Sequence, residues 1–322
     1  MTEPSTFSID FPFAYGKPAV SAKFRTECED FVVNEILGFE ASGDGEHVVL
    51  EVLKRDDNTP WVAKQIARIA GVKPMDVGYC GLKDRRAVTR QWFSVYLPKP
   101  KAIDWRLLNG DTIQYLSHTQ HNKKLRRGEH AANQFIIRLR DVQGDTDGIE
   151  QRLLAIKKGG VPNYFGEQRF GREQANLHQV DELFSRRVRN KNPQQKGMVL
   201  SAARSWVFNQ VLAARVAHAD WQALLDGEPQ PYASGPLWGR GRNLATGLLG
   251  EFEADVLTPW QAWCDGLEHA GLSQERRALV QTPIDFAWRW EGQHLVLEFS
   301  LAPGQFATSL LREIADLELV EE

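Results

Sequence analysis

Cysteine is scarce in this chain. Three residues in 322, Cys28, Cys80 and Cys264, are scattered and odd in number. That excludes a disulfide framework and fits a reducing cytosol. No C-x-x-C and no H-E-x-x-H occurs. His118 and His121 have a spacing that could bind metal, but a zinc site needs at least three protein ligands and no third lies nearby, so both are expected at the surface. There is no G-x-x-x-x-G-K-[ST] phosphate loop and no G-x-S-x-G nucleophile elbow. Gly239-Arg240-Gly241 begins like a dinucleotide fingerprint but carries Leu244 where the third glycine belongs. No run of 18 apolar residues is present, so no membrane span is expected. The first seven residues lack the basic and apolar regions of a signal peptide, so a cytoplasmic protein is expected. Neither an internal repeat nor a low-complexity segment is visible. Together these absences point to chemistry without ATP, a redox partner, a cofactor or a metal.

What the chain does have is core. It is 42% hydrophobic with ten tryptophans, and its length suits roughly two domains. The net charge of −3 argues against a nucleic-acid partner by its sum, but not by its distribution. Lys123, Lys124, Arg126 and Arg127 form one basic run; Arg186, Arg187, Arg189, Lys191 and Lys196 form another with no acid between them. Acids gather at the other extreme, in Glu313, Asp316, Glu318, Glu321 and Glu322. Local basic runs can bind phosphates on a chain that is acidic overall, although each also reads as an ordinary solvated face.

Residues 47–53 read as a strand. Thr59 followed by Pro60 signals a helix start, Val62, Ile66 and Ile69 share a face, and Gly71 supplies the stop. Residues 77–79 and 92–97 read as strands, as does 135–140 with Phe135, Ile137 and Leu139 on one face. Phe286, Trp288 and Trp290 alternate before a turn at 291–293, and Leu295, Leu297 and Phe299 continue on a second strand; these aromatics are expected in the core. The middle differs, with helices expected over 148–158, 174–188 and 201–217, and a Gly/Pro-rich stretch over 227–250. A mostly helical domain inserted in a strand-rich one follows, with seams near Gly159-Gly160 and Pro283.

Asp84 is the strongest candidate for chemistry. It sits in Gly81-Leu82-Lys83-Asp84-Arg85-Arg86-Ala87, a glycine-started loop between two expected strands. Catalytic groups concentrate on such loops. Cations beside a carboxylate favour its charged form, and a positioned, charged carboxylate can act as a nucleophile. A merely charged surface turn is the competing reading. Cys80 nearby is expected to be a small buried residue rather than a nucleophile.

The segment Gly81–Gln91 closely resembles the G-x-K-D-x-x-A-x-T-x-Q segment of the TruD family of tRNA pseudouridine synthases. Val161-Pro162-Asn163-Tyr164-Phe165-Gly166-Glu167-Gln168-Arg169-Phe170-Gly171 resembles that family's V-P-N-Y-F-G-x-Q-R-F-G block. Shorter pieces at Glu29–Val33, Leu200–Ser205 and Leu301–Ser309 fall in the right order, so the resemblance spans nearly the whole chain. It implies an α+β fold: a pseudouridine-synthase catalytic domain with a mixed, largely antiparallel sheet flanked by helices, plus an inserted, mostly helical TRUD domain, with a cleft between them. The catalytic domain would comprise 1–158 and 281–322, and the insertion 159–280.

The resemblance also implies the activity, isomerisation of tRNA uridine, at position 13 in tRNA numbering, to pseudouridine, with tRNA as partner, a monomeric protein, and neither membrane nor metal. Such a reaction needs a carboxylate, a pocket that retains the loose base, and extraction of the nucleotide from its stack. Asp84 takes the carboxylate's role by resemblance. Whether it attacks the sugar, attacks the base or abstracts a proton is left open. Phe31 matches an aromatic near the active site, Asn133 an asparagine whose amide can read a uracil edge, and Phe306 an aromatic that can stack on the base. Without the family, Phe31 and Phe306 read as core and Asn133 as a turn residue. Asn163, Gln168 and Arg169 read either as site residues or as structural hydrogen-bonders, with the structural reading favoured beside Gly166 and Gly171. Arg25 stands where the family often has lysine, which leaves the basic partner of Asp84 open between Arg25 and Lys83. Two other classes compete: an RNA-binding or RNA-folding protein with little catalysis, which Asn or Ala at position 84 would have favoured, and a nucleoside hydrolase, which usually needs two cooperating carboxylates.

Overall fold

A computed structural model describes residues 7–99, 101–185 and 192–319. Arg186, Arg187, Arg189 and Lys191 of the second basic run lie outside the described residues. The chain forms two compact units. One comprises Ala19–Gln151, Pro283–Gln305 and the residues from Ala315 on; the other comprises the residues up to Pro18, Arg152–Thr282 and Phe306–Ile314. The residues before Pro18 and the stretch 306–314 thus cluster with the middle of the chain, a grouping that periodicity does not signal.

The first unit is built on a ten-stranded sheet. Its strands include β1 (Val20–Phe24), β2 (Phe31–Ile36), β3 (His47–Arg55), β4 (Val77–Tyr79), β5 (Val88–Tyr96), β6 (Ile113–His121) and β7 (Ala132–Gly144). The main order runs Ile284–Glu291, His294–Leu301, β7, β2, β5, β3, β6. The β2–β5 pair is parallel, as is β1 with Asp316–Leu319; the other pairings are antiparallel. The class is therefore α+β with a mixed, largely antiparallel sheet. β5 starts four residues earlier than its apolar run, at Val88, because β3 pairs with it from His47↔Tyr96 through to Arg55↔Val88.

One helix, α1 (Thr59–Ala70), covers part of this sheet. Val62 and Ile66 are fully buried with Leu50, Val52, Phe93 and Val95, each worth about 1.5–3 kcal/mol. Gly71 ends the helix at φ 69°, a left-handed conformation open to glycine without strain, and its N–H caps the carbonyls of Ala67 and Arg68. The N-cap is Asn58, not Thr59: the Asn58 side chain accepts from Trp61 N at 2.9 Å. Thr59 is fully buried and its hydroxyl is used elsewhere.

Two expectations about aromatic and histidine burial are corrected. Phe286 is core, but Trp288 and Trp290 are only half-buried, and both donate their indole N–H to Glu150, at 2.9 and 2.8 Å. His118 is exposed, whereas His121 is buried, stacked on Phe39 at 5.3 Å with Nδ1 accepting from Ser42 N. Alternation along β6 sends the two rings to opposite faces, so their spacing does not make a chelating pair.

The second unit packs around the helix Pro193–Ala217, which begins eight residues before its expected start. Ala202, Ala203, Val207, Phe208, Val211 and Leu212 are all fully buried, so the helix is apolar on more than one face. The expected helix over 174–188 is instead a 3₁₀ turn, Arg172–Gln174, then two short helices, Ala175–His178 and Val180–Phe184. Gln174 at φ 54° delays the start to Ala175, and the two short helices meet at Gln179; residues 186–188 of the expected helix lie outside the described residues. Gly160 sits at φ 73°, where a Cβ would come within 2.6 Å of the Gln281 carbonyl. Only glycine lets that close pairing of Val161–Pro162 with Val280–Gln281 form. Among the described residues no helix is long and apolar enough to cross a membrane.

Candidate active site

The loop carrying Asp84 joins β4 to β5, two antiparallel neighbours. Its backbone is held at almost every step. Gly128 N donates to Cys80 O at 2.8 Å, and Gln91 Nε2 to Gly81 O at 2.7 Å. Lys83 N donates to Thr59 Oγ1 at 3.0 Å, and Thr59 Oγ1 donates to Gln91 Oε1 at 2.9 Å. Lys54 Nζ donates to Asp84 O at 2.8 Å and to Asp57 O at 2.7 Å. Thr59, Gln91 and Lys54 are all essentially buried, so these anchors are dry. A site held by packed, hydrogen-bonded supports keeps its geometry without ordering at the moment of reaction.

The Asp84 side chain itself reaches outward. Its Oδ2 accepts from Arg25 Nη2 at 2.8 Å; the aspartate side chain is 41% exposed and the arginine 16%. Arg25 follows β1 at φ 59°, an uncommon conformation for a side-chain-bearing residue. Its guanidinium lies 4.2 Å from the Phe31 ring centre and 5.1 Å from that of Phe24. A delocalised guanidinium stacks on aromatic faces as an ammonium does not, which gives the arginine here a function beyond charge. Phe31 is buried and supports Arg25 from beneath.

Lys83 turns the other way, to Glu35 at 2.8 Å and to the amide oxygen of Asn133. Of the two candidates, Arg25 is the basic partner of Asp84. Glu35 faces Asn133 across the β2–β7 pair and is fully buried, and burial pushes its carboxyl up against the opposing pull of Lys83. Asn133 Nδ2 lies 3.0 Å from His130 Nε2. An ammonium can only donate, so Lys83 fixes the amide oxygen toward itself and the amide nitrogen toward His130. Burial, helped by Lys83, pushes His130 down to about 4, so the imidazole is neutral at physiological pH and accepts from Asn133. Both ends of the Asn133 amide are thus engaged within the protein, and the second amide hydrogen is what remains for a ligand.

Phe306 lies in the other unit. It is partly buried, 6.0 Å from the Phe165 ring centre. Two buried amides clamp these aromatics through their backbones. Gln281 exchanges hydrogen bonds with Phe306 N and O at 3.1 and 3.0 Å, and Asn209 does the same for Phe165 at 2.9 and 3.0 Å. Asn163 is buried, donates to Ala278 O at 2.8 Å and accepts from Arg277. Arg169 donates to Ser201 Oγ at 3.0 Å, while Gln168 is exposed.

Lys54, Glu35, Thr59, Gln91, His130, Gln281, Asn209 and Arg277 are not expected from the sequence as parts of the site. For Lys54 a signal existed: it continues the spacing of Leu50 and Val52, so it falls on the inward face of β3. For Gln91 the signal was its place at the end of the Gly81–Gln91 segment. Cys80 is buried, and burial pushes its thiol up to about 12, so it is inert as a nucleophile. No group of three or more potential metal ligands occurs among the described residues.

Fold and site together define an α+β protein that presents one carboxylate, paired with arginine, on a rigid loop. The sequence pattern described as tRNA pseudouridine synthase D (TruD) matches residues 11–192. A tRNA pseudouridine synthase D of Cellvibrio japonicus is 52% identical over 316 residues, covering 97% of this chain and 94% of the relative. One from Aeromonas hydrophila is 42% identical over 333 residues, covering 95% and 94%. A crystal structure from Methanosarcina mazei, assigned provisionally to the same family, superposes with a TM-score of 0.68 at 20% identity over 94% of this chain and 95% of that one, a likeness of fold. The chain belongs to the TruD family of tRNA pseudouridine synthases.

Proposed function

We propose that this protein isomerises uridine 13 of tRNA to pseudouridine, with Asp84 as the nucleophile, acting as a cytoplasmic monomer without metal or cofactor. The observation that carries the reading is the Asp84 carboxylate, held 2.8 Å from Arg25 on a loop whose backbone is anchored by buried side chains. Breaking the N1–C1′ bond and reattaching through C5 leaves the molecular formula unchanged, so no oxidant, reductant or acyl donor enters. Asp84 bonds covalently to the nucleotide while the uracil turns; that bond is broken again once C5 has joined C1′, the proton lost from C5 is matched by one gained at N1, and Arg25 orients and neutralises the carboxylate before attack. We assign the unit containing Asp84 to the catalytic domain and residues 159–280, all of which fall within the other unit, as the TRUD insertion; Phe306, in the C-terminal part of the catalytic segment, clusters with that second unit. Lys123, Arg126 and Arg127, which are exposed, and the half-buried Lys124 supply phosphate contacts. The test is direct: tRNA from cells with and without the protein is mapped for pseudouridine, and the expected difference is confined to position 13. Pseudouridine at 13 in both samples would refute the reading. Light scattering of the RNA-free protein checks the monomer.

Phe306 is assigned as the surface against which the released uracil stacks. Phe306→Ala is expected to lower the single-turnover rate far more than Phe306→Tyr, because alanine removes a stacking surface worth about 1–3 kcal/mol. The ring is only partly buried, so truncation should cost less stability than the roughly 3–5 kcal/mol of a fully buried phenylalanine. A large fall in Tm with an unchanged rate per folded molecule would make Phe306 plain core.

A further inference from the structure

The unit containing Phe306 handles its half-buried and buried arginines in two ways. Arg215 pairs with Asp220 at 2.7 Å, Arg276 with Glu253 at 2.7 Å, and Arg204 with Glu275 at 3.5 Å. Arg169 and Arg277 have no carboxylate partner among the described residues. Each is held instead by neutral groups: Arg169 by the Ser201 hydroxyl, Arg277 by the side-chain and main-chain oxygens of Asn163. Both guanidiniums face the same two rings. Arg277 lies 4.2 Å from the Phe165 centre and 6.0 Å from that of Phe306; Arg169 lies 5.4 and 5.9 Å from them.

Two desolvated cations side by side without an anion are costly, since each raises the cost of the other. Burial, and then the charge of Arg169, push Arg277 down to about 10, which registers that repulsion. Among the described residues most of their ten N–H donors make no hydrogen bond, and Arg277 Nε is buried with no partner. Aromatic faces offset part of the cost but accept no hydrogen bond of ordinary strength.

We infer that Arg169 and Arg277 form a binding site for a phosphodiester of the RNA chain, next to Phe306. A planar fork from each arginine matches tetrahedral phosphate oxygens, and the missing counter-charge is the one the ligand brings. The partly exposed Phe306 ring, about 6 Å from both cations, leaves a nucleoside attached to that phosphate within stacking reach. The Asn163 and Ser201 contacts set the guanidinium planes without neutralising them. The inference rests on the tRNA-directed reading above, but not on the role of Asp84.

The experiment measures binding of an unmodified tRNA transcript against KCl concentration for wild type, Arg277→Met, Arg169→Met and the double variant, with Tm recorded for each. The double variant is expected to lose about tenfold in affinity and to reduce the log–log salt slope by about 0.7–0.9, the release expected for one phosphate contact. Arg277→Lys, which keeps the charge, should restore most of the slope and guards against a methionine variant that does not fold. Inorganic phosphate at constant ionic strength should raise the Tm of wild type and not that of the double variant. An unchanged slope in folded variants would overturn the proposal, whether Tm falls, which would make the pair structural, or phosphate still stabilises wild type, which would make it a site for small anions alone. Wild type that fails to bind tRNA at all would instead sink the functional reading.

Discussion

Asp84→Asn is expected to abolish pseudouridine formation, by at least about 10⁴-fold in single turnover, with tRNA binding and Tm nearly unchanged. The substitution keeps the shape of the side chain and the loop, because the loop is anchored through backbone atoms of Cys80, Gly81, Lys83 and Asp84 rather than through the carboxylate. What goes is the negative charge. The lost ion pair with Arg25 should cost little stability, since the aspartate side chain is 41% exposed and such pairs are worth about 0–1 kcal/mol. Arg25 keeps its place over Phe31 at 4.2 Å. Asp84→Glu keeps the charge but moves the oxygens by about a methylene, and misplacement on that scale costs on the order of 10²-fold. A rate for Asp84→Asn near wild type would remove the carboxylate from the chemistry. A lost rate together with lost binding would point to folding or RNA contact instead.

The sequence made the strand–loop–strand setting of Asp84 legible because local signals coincide there: β-branched and aromatic runs on either side, and a glycine at the start of the turn. Chain-wide order was legible too, since α1 and the C-terminal hairpin follow from periodicity and a glycine stop. The supports of the site were not. Thr59 has the appearance of a helix cap, and only packing against β5 shows its hydroxyl serving the Lys83 backbone and Gln91. The resemblance marks Asn133 as an amide that can face a ligand, but not that Lys83 and His130, 50 and 3 positions away, hold its two ends. The Arg25–Asp84 pair spans 59 positions, and only the resemblance, which leaves Arg25 and Lys83 as alternatives, points to it. Long-range side-chain contacts of this kind depend on sheet order, and that order, with β2 parallel to β5, is not encoded in any window of residues.

Lys54 is the support whose removal should cost the most. It is a buried lysine whose ammonium donates to the carbonyls of Asp84 and Asp57, so it ties the backbone of the proposed nucleophile to the end of β3. Lys54→Met keeps the apolar stem and removes the donor. Two carbonyls lose a partner, at about 1–3 kcal/mol each, while the cost of burying an ammonium disappears, so the net change in Tm should be small. The rate should not be spared: a loop free to shift by about 1 Å loses on the order of 10²-fold in single turnover, with tRNA affinity unchanged. Burial pushes the Lys54 ammonium down to about 8 against the pull of Asp84 and Asp57, with Lys83 adding to the fall and Cys28 opposing it. The sign follows. Below about pH 8 the ammonium is charged and holds the loop; above it the proton leaves and the anchor weakens, so wild-type activity should decline through that region. Stability should move the other way, rising with pH between about 8 and the ordinary lysine value of 10.5, where the unfolded chain still holds a proton that the folded one has lost. In Lys54→Met both the alkaline decline and the stability rise should vanish. Single-turnover rates and Tm measured from pH 6 to 9.5 on the two proteins decide the matter, and a decline that persists unchanged in Lys54→Met would assign it to another group.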